Sequence, residues 1–185
     1  MGIFRRILCL SLVFALGACT KKKSDTLEYG LDVKDTLRIN IENEPPSLDW
    51  SISTDTTSSF IEINIMDGLV EYNLTDPEFS LSPALATEWK PSANAKVWTF
   101  KLRDGVKWTD GQPFTGQHVI DGWERLLNPK TASEYAYFLF DVKNAREYNS
   151  GKIKDFSQVG IKLNDKNELI VELIAPKAYF PMMLT

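Results

Sequence analysis

The chain has 185 residues, a formal net charge of −4 and a single histidine. That length holds one domain, or one domain and part of a second, and the acidic balance argues against a nucleic-acid-binding surface, which needs clustered positive charge. Hydrophobic residues make up 43% and charged residues 25%, which is ordinary globular composition.

The first segment is a basic pair, Arg5 and Arg6, followed by an apolar stretch from Ile7 to Leu16 that only Ser11 interrupts. Such a stretch is too short for a permanent bilayer-spanning helix. Its length and flanks predict a secretory signal over residues 1–18. Leu16-Gly17-Ala18-Cys19 resembles a bacterial lipobox, in which the peptidase cuts before a lipidated cysteine. The resemblance implies lipidation of Cys19 and a lipid anchor in the cell envelope outside the cytoplasmic membrane, on its periplasmic or cell-surface face. Cys9 lies in the part to be removed, so no cysteine is left for a disulfide or a thiolate metal site. Residues 19–35 are polar, led by Lys21, Lys22 and Lys23, and read as a flexible tether whose lysines are either simply solvated or touch anionic headgroups.

Leu37 to Ile41 alternates apolar and polar residues and predicts a half-buried strand. Pro45 and Pro46 make Asn43 to Asp49 a rigid loop. Thr56 to Ser59 offers helix N-caps, and Phe60, Ile61, Ile65, Met66 and Leu69 follow at helical spacing, with Gly68 as the predicted stop. Val97 to Arg103 is the clearest strand, with Trp98, Phe100 and Leu102 on one face. Asp104-Gly105 and Asp110-Gly111 are turn dipeptides around a short alternating piece, Val106 to Trp108. Thr115 caps a second helix with an apolar stripe of Val119, Ile120, Trp123, Leu126 and Leu127, stopped by Asn128-Pro129. Ser133 to Asp141 predicts a third, aromatic-rich helix. Gly160 to Leu163 and Glu168 to Ile174 predict a hairpin turned at Asn164 to Asn167. Mixed strands and helices without strict βαβ alternation place the chain in the α/β (mixed α+β) class.

Catalytic signatures are missing from the sequence. There is no glycine-rich phosphate loop. His118 stands alone near the start of a predicted helix, where a surface or capping role is the simplest reading. Nucleophile sets that need a histidine would all depend on it, and no metal site is expected around a single histidine. Asn73-Leu74-Thr75 matches the glycosylation tripeptide, but the bacterial signal empties the match of meaning.

Six or more segments in order resemble the extracellular solute-binding proteins that include the oligopeptide and dipeptide receptors of ABC importers. They are Asn43-Glu44-Pro45-Pro46-Ser47-Leu48-Asp49, Asp67-Gly68-Leu69-Val70, Pro83 to Trp89, Val97 to Trp108 with Asp110 to Thr115, Trp123-Glu124-Arg125, Asn128 to Tyr135, and Ala175-Pro176 with Tyr179-Phe180. Trp50 stands where the family loop ordinarily carries a proline.

The resemblance implies a periplasmic-binding-protein-like clamshell of two lobes. Residues 36–66 would begin the first ligand-binding lobe, and residues 67–185 would form most of a small α/β domain, with the chain either continuing beyond Thr185 or being a truncated gene product. It implies a peptide ligand held extended between the lobes, delivery to ABC-transporter permease subunits, no enzymatic activity, no cofactor and a monomeric protein. Carried over by position, Tyr135 and the loop of Thr54, Asp55 and Thr56 would face the peptide, although an acidic residue is ordinary where Thr54 stands. Trp89, Trp108 and Trp123 read as packing residues. Other solutes remain open: a dipeptide, a murein peptide or a nickel complex, or a non-transport lipoprotein on the same scaffold.

Overall fold

A computed structural model describes residues 28–185; the signal, Cys19 and most of the tether lie outside the described residues. The chain divides into two units after Glu42, and the second, Asn43–Thr185, carries every regular strand and α-helix described below.

The larger sheet is antiparallel throughout, with strand order β3-β4-β6-β5. Its members are β3 (Ala86–Pro91), β4 (Val97–Leu102), β5 (Ile161–Leu163) and β6 (Leu169–Glu172). Trp98 lies opposite Val171, and Phe100 opposite Leu169 and Trp89. Directly opposed residues share a face, so these side chains form the inner surface. Phe100, Leu169 and Val171 are fully buried. The outer face carries Lys101 and Glu88, which pair across strands at 3.0 Å. A small two-stranded sheet, β1 (Val70–Tyr72) and β2 (Leu81–Pro83), is the second sheet. It joins the core through Val70, which is fully buried.

Helix α2 (Gly116–Leu127) packs over the inner face with the expected stripe, and Leu127 is fully buried. Gly116 lets the helix start close to the sheet, since a Cβ there would meet Leu163 Cδ2 at 2.5 Å. His118 is a capping residue. Its Nδ1 accepts from the Thr115 N–H at 3.1 Å and from Trp108 Nε1 at 3.2 Å. Trp108 also packs edge-on against Phe114. Trp98 belongs to the core, Trp89 and Trp123 are half-buried against it, and Trp98 Nε1 donates to the Lys177 carbonyl at 3.2 Å. The hairpin of β5 and β6 has the expected turn, with Asn164 Oδ1 accepting from the Lys166 and Glu168 N–H groups.

Four expectations change. Leu37 to Ile41 is not a strand; Leu37 is 84% exposed, and among the described residues no strand pairs with it to fill its backbone hydrogen bonds. Ser133 to Asp141 forms only one 3-10 turn, Ala136–Leu139. Residues i and i+3 eclipse in that geometry, so Ala136 and Leu139 both enter the core while the aromatic side chains between them turn outward. Helix α1 (Thr56–Ile65) ends before Gly68, at an extended Met66. Gly68 instead permits a close backbone crossing, where a Cβ would lie 2.5 Å from the Leu184 carbonyl oxygen. The apolar residues of α1 are not its buried face: Phe60, Ile63 and Ile65 are exposed, whereas Ser58 and Glu62 are buried. The four apolar residues of α1, Phe60, Ile61, Ile63 and Ile65, are spread around the helix and mark no single face. A short helix α3 (Ala145–Asn149) and strands β1, β2 and β3 were not foreseen as elements.

Candidate ligand-binding site

The loop from Ser47 to Asp55 is built from short polar residues that bond their own backbone. Ser47 Oγ accepts from the Asp49 N–H at 3.0 Å, and the Asp49 carbonyl accepts from the Ile52 and Ser53 N–H groups at 2.9 and 3.0 Å. The loop is inverted in polarity. Ser51 and Ser53 are buried, and Leu48, Trp50 and Ile52 are exposed. Ser53 Oγ donates to Glu62 Oε2 at 2.7 Å, which ties the loop to the middle of α1. Glu62 is 3% exposed, and its Oε1 has no partner among the described residues.

Asp49 connects this loop to α2. Its Oδ1 accepts from the Ser51 N–H at 3.1 Å, and Oδ2 pairs with Arg125 Nη2. The Arg125 hydrogen bond holds the Asp49 carboxyl below its ordinary value against the opposing effect of burial. Arg125 lies in the last turn of α2, where a cation also complements the helix dipole. The helix then runs out into the Asn128–Tyr135 segment. Asn128 Oδ1 accepts from the Lys130 N–H, the Asn128 carbonyl accepts from the Thr131 N–H, and Ala132 takes φ 52°.

Thr54 and Thr56 are exposed at the start of α1. Asp55 is the N-cap of that helix. Its Oδ1 accepts from the Ser58 N–H at 2.9 Å and its Oδ2 from Ser58 Oγ at 2.6 Å. These bonds lower its pKa and occupy both oxygens. What Asp55 offers a ligand is therefore its remaining lone pairs, not a free carboxylate. Tyr135 is 40% exposed and sits at the entry of the 3-10 turn, with its N–H donating to Ser133 Oγ at 3.3 Å. No hydrogen bond among the described residues links Tyr135 to Thr54, Asp55 or Thr56. The two segments are related through the Asp49–Arg125 pair, a connection that no local pattern in the sequence announces. Tyr137 and Phe138, beside Tyr135, are exposed as well and were not singled out as site residues.

At the opposite end of α2 a shallow polar cleft is lined by Lys101, Arg103, Thr115 and Lys166. Among the described residues no group of three or more His, Cys, Asp or Glu side chains gathers to hold a metal, and no helix is long and apolar enough to cross a membrane.

Residues 80–185 match the family described as bacterial extracellular solute-binding proteins, family 5 Middle. The chain is 36% identical over 179 residues to the dipeptide-binding protein DppE of Bacillus subtilis, covering 94% of this chain and 32% of that one. It is 35% identical over 149 residues to the periplasmic murein peptide-binding protein MppA of Escherichia coli, covering 80% and 27%. Among solved structures, the substrate-binding domain of an oligopeptide ABC transporter from Bacillus anthracis superposes with a TM-score of 0.70 at 40% identity, covering 76% of this chain and 26% of that one. The chain thus spans between about a quarter and a third of the length of the curated relatives it matches. These relatives are solute-binding proteins with peptide ligands, and the mixed α/β fold is that of their corresponding part. On the match over residues 80–185, with the sheet and helix order that accompany it, the chain belongs to family 5 of the bacterial extracellular solute-binding proteins.

Proposed function

We propose that the protein is the substrate-binding lipoprotein of an ABC importer, capturing extended peptides outside the cytoplasmic membrane and passing them to a permease. This reading is supported by relatives that bind peptides and by the Asp49–Arg125 pair, which joins the loop preceding Thr54 to the helix that leads toward Tyr135. An extended peptide offers the same N–H and C=O pattern whatever its sequence, so pairing to protein backbone gives affinity without demanding one sequence. Tyr135 suits such a cleft, with a flat apolar body and a polar tip. Thr54, Asp55 and Thr56 contribute hydroxyls and a carboxylate edge beside it.

In this reading residues 36–66 open the first lobe, residues 67–185 belong to the small α/β domain, and a second lobe closes over the ligand. Closure is favoured by as much as the peptide prefers the closed form over the open one. The exposed Trp50, Ile52, Phe60 and Ile63 fit a surface that further parts of the lobe cover. Cys19 carries the lipid, and the protein acts as a monomer without cofactor or catalytic step.

Incubating the native protein with a mixed peptide pool and identifying retained peptides by mass spectrometry tests the ligand class. Retention of many peptides of related length supports the reading, and an empty protein rejects it. Peptide cleavage in the same sample would make it an enzyme instead. A narrower reading, a receptor for a murein peptide, is favoured by the MppA relative at nearly the same identity as DppE. Retention of cell-wall peptides alone selects it. Cys19→Ser tests the anchor, since the lipoprotein reading requires the variant to leave the membrane fraction.

A further inference from the structure

Tyr135, Tyr137 and Phe138 are 40%, 53% and 47% exposed, and their rings gather into one cluster. Tyr137 and Phe138 stack at 4.5 Å between centroids and 29° between planes. Tyr135 stands across them, at 52° to Phe138 and 72° to Tyr137. The arrangement is a corner with two faces. The backbone beneath it is fixed. Phe138 and Phe140 N–H groups donate to the Tyr135 and Tyr137 carbonyls at 3.1 and 3.0 Å, and Ala136 and Leu139 are buried anchors. Beyond the turn, the Ile174 N–H donates to the Asp141 carbonyl at 2.9 Å, which ties the segment to the stretch of chain that follows β6.

Neither tyrosine hydroxyl in this corner has a protein hydrogen-bond partner among the described residues, unlike the hydroxyls of Tyr148 and Tyr179, which bond Glu124 and Asp141. Arg146 rests over Phe140 and Lys177 over Tyr179, and among the described residues no cation stacks on the rings of this corner. A flat, uncharged ring fits it best, because aromatic side chains favour offset-stacked and edge-on neighbours together. Aromatic anchors with few rotatable bonds also lose little entropy on gripping a ligand.

We infer that Tyr137 and Phe138 extend the Tyr135 surface into a subsite for one aromatic side chain of the bound peptide, making the protein selective for peptides with Phe, Tyr or Trp at one position. This rests on the peptide-binding reading above. The gain in affinity is roughly three- to tenfold over alanine at that position.

The test is calorimetric titration of the native protein with Ala-Ala-Ala, Phe-Ala-Ala, Ala-Phe-Ala and Ala-Ala-Phe, and with the matching arginine peptides. Tighter binding of one phenylalanine peptide is expected, with the ratio to Ala-Ala-Ala falling close to one in a Tyr137→Leu, Phe138→Leu variant. Leucine keeps apolar bulk, and a melting curve establishes that the variant is folded. A Phe138→Tyr variant, which keeps the ring, should retain the ratio. Equal binding of all peptides, a preference for arginine instead, or a phenylalanine preference unchanged in the leucine variant overturns the subsite while leaving peptide binding standing. If the native protein binds none of them, the subsite falls, and retention from the mixed peptide pool separately decides the peptide-binding reading.

Discussion

At the scale of single residues, the informative feature is a buried carboxylate served by one donor. Glu62 is 3% exposed, accepts from Ser53 Oγ through Oε2, and leaves Oε1 without a partner among the described residues. A buried group deprived of its donor bears the full desolvation cost. Ser53→Ala is therefore expected to lower stability by about 1–3 kcal/mol, measured by urea unfolding. The same substitution in a Glu62→Leu background should cost far less. Equal costs in both backgrounds would mean that the bond contributes nothing. Asp49 gives a second case. Arg125→Ala removes the largest cause of its lowered pKa, so its carboxyl should titrate closer to the ordinary 3.8 in an NMR pH series. The pair is largely exposed, and the accompanying stability loss should stay within about 1 kcal/mol. An unmoved Asp49 titration would dissociate the loop from α2.

Elements here are positioned by close backbone approaches as much as by side-chain packing. Gly160 precedes β5, and three strands of chain meet around it. Its N–H donates to the Lys143 carbonyl, its own carbonyl accepts from the Glu172 N–H, and the Lys143 N–H donates to the Glu172 carbonyl, all between 2.7 and 2.9 Å. A Cβ at Gly160 would lie 2.6 Å from the Glu172 carbonyl oxygen. Backbone has little room to yield there, unlike a leucine methyl. Gly160→Ala should cost about 1–3 kcal/mol by overpacking, read as a lower melting temperature. Gly122→Ala, on the exposed side of α2 with open space around it, should be neutral or slightly stabilising. A reversed order of the two variants would contradict this packing.

For the molecule as a whole, the perturbed groups set both ends of its pH range. Asp49, Asp55, Asp76 and Asp155 all have lowered pKa values, in each case chiefly from a side-chain hydrogen bond to Arg125, Ser58, Ser80 or Ser157. A carboxyl whose folded value is depressed stabilises the fold above its unfolded value, and that contribution disappears as pH falls through the folded value. Tyr148 is raised chiefly by burial, and Lys101 and Lys177 chiefly by hydrogen bonds to Glu88 and Tyr179. Groups with raised values stabilise fully below their unfolded values and lose that contribution as pH rises through the folded ones. Melting temperature should accordingly decline below about pH 4 and again above about pH 10. Replacing Asp55 and Asp155 by Asn should blunt the acid-side decline. An acid limb identical to the parent would assign the decline to other groups.

The family, the α/β class, the strand Val97–Leu102 with its inward Trp98 and Phe100, the stripe of α2 and the hairpin of β5 and β6 are all legible in the amino-acid sequence. Each is coded locally, by alternation, by helical spacing or by a turn within a few residues, and family motifs in order add to these signals. The capping role of His118 was legible for the same reason. Tertiary structure alone decided the rest. Leu37 to Ile41 alternates like a strand, yet a strand exists only where another segment pairs with it. Whether the aromatic run became a helix or one 3-10 turn depended on which two side chains the core admitted, and it admitted Ala136 and Leu139. The polar burial of α1 needed Ser53 and Asp55 to supply its bonds. The candidate site depends on Asp49 meeting Arg125 across 76 residues of sequence, and a pairing at that separation is fixed by the packing of the helix on the sheet, which no local pattern encodes.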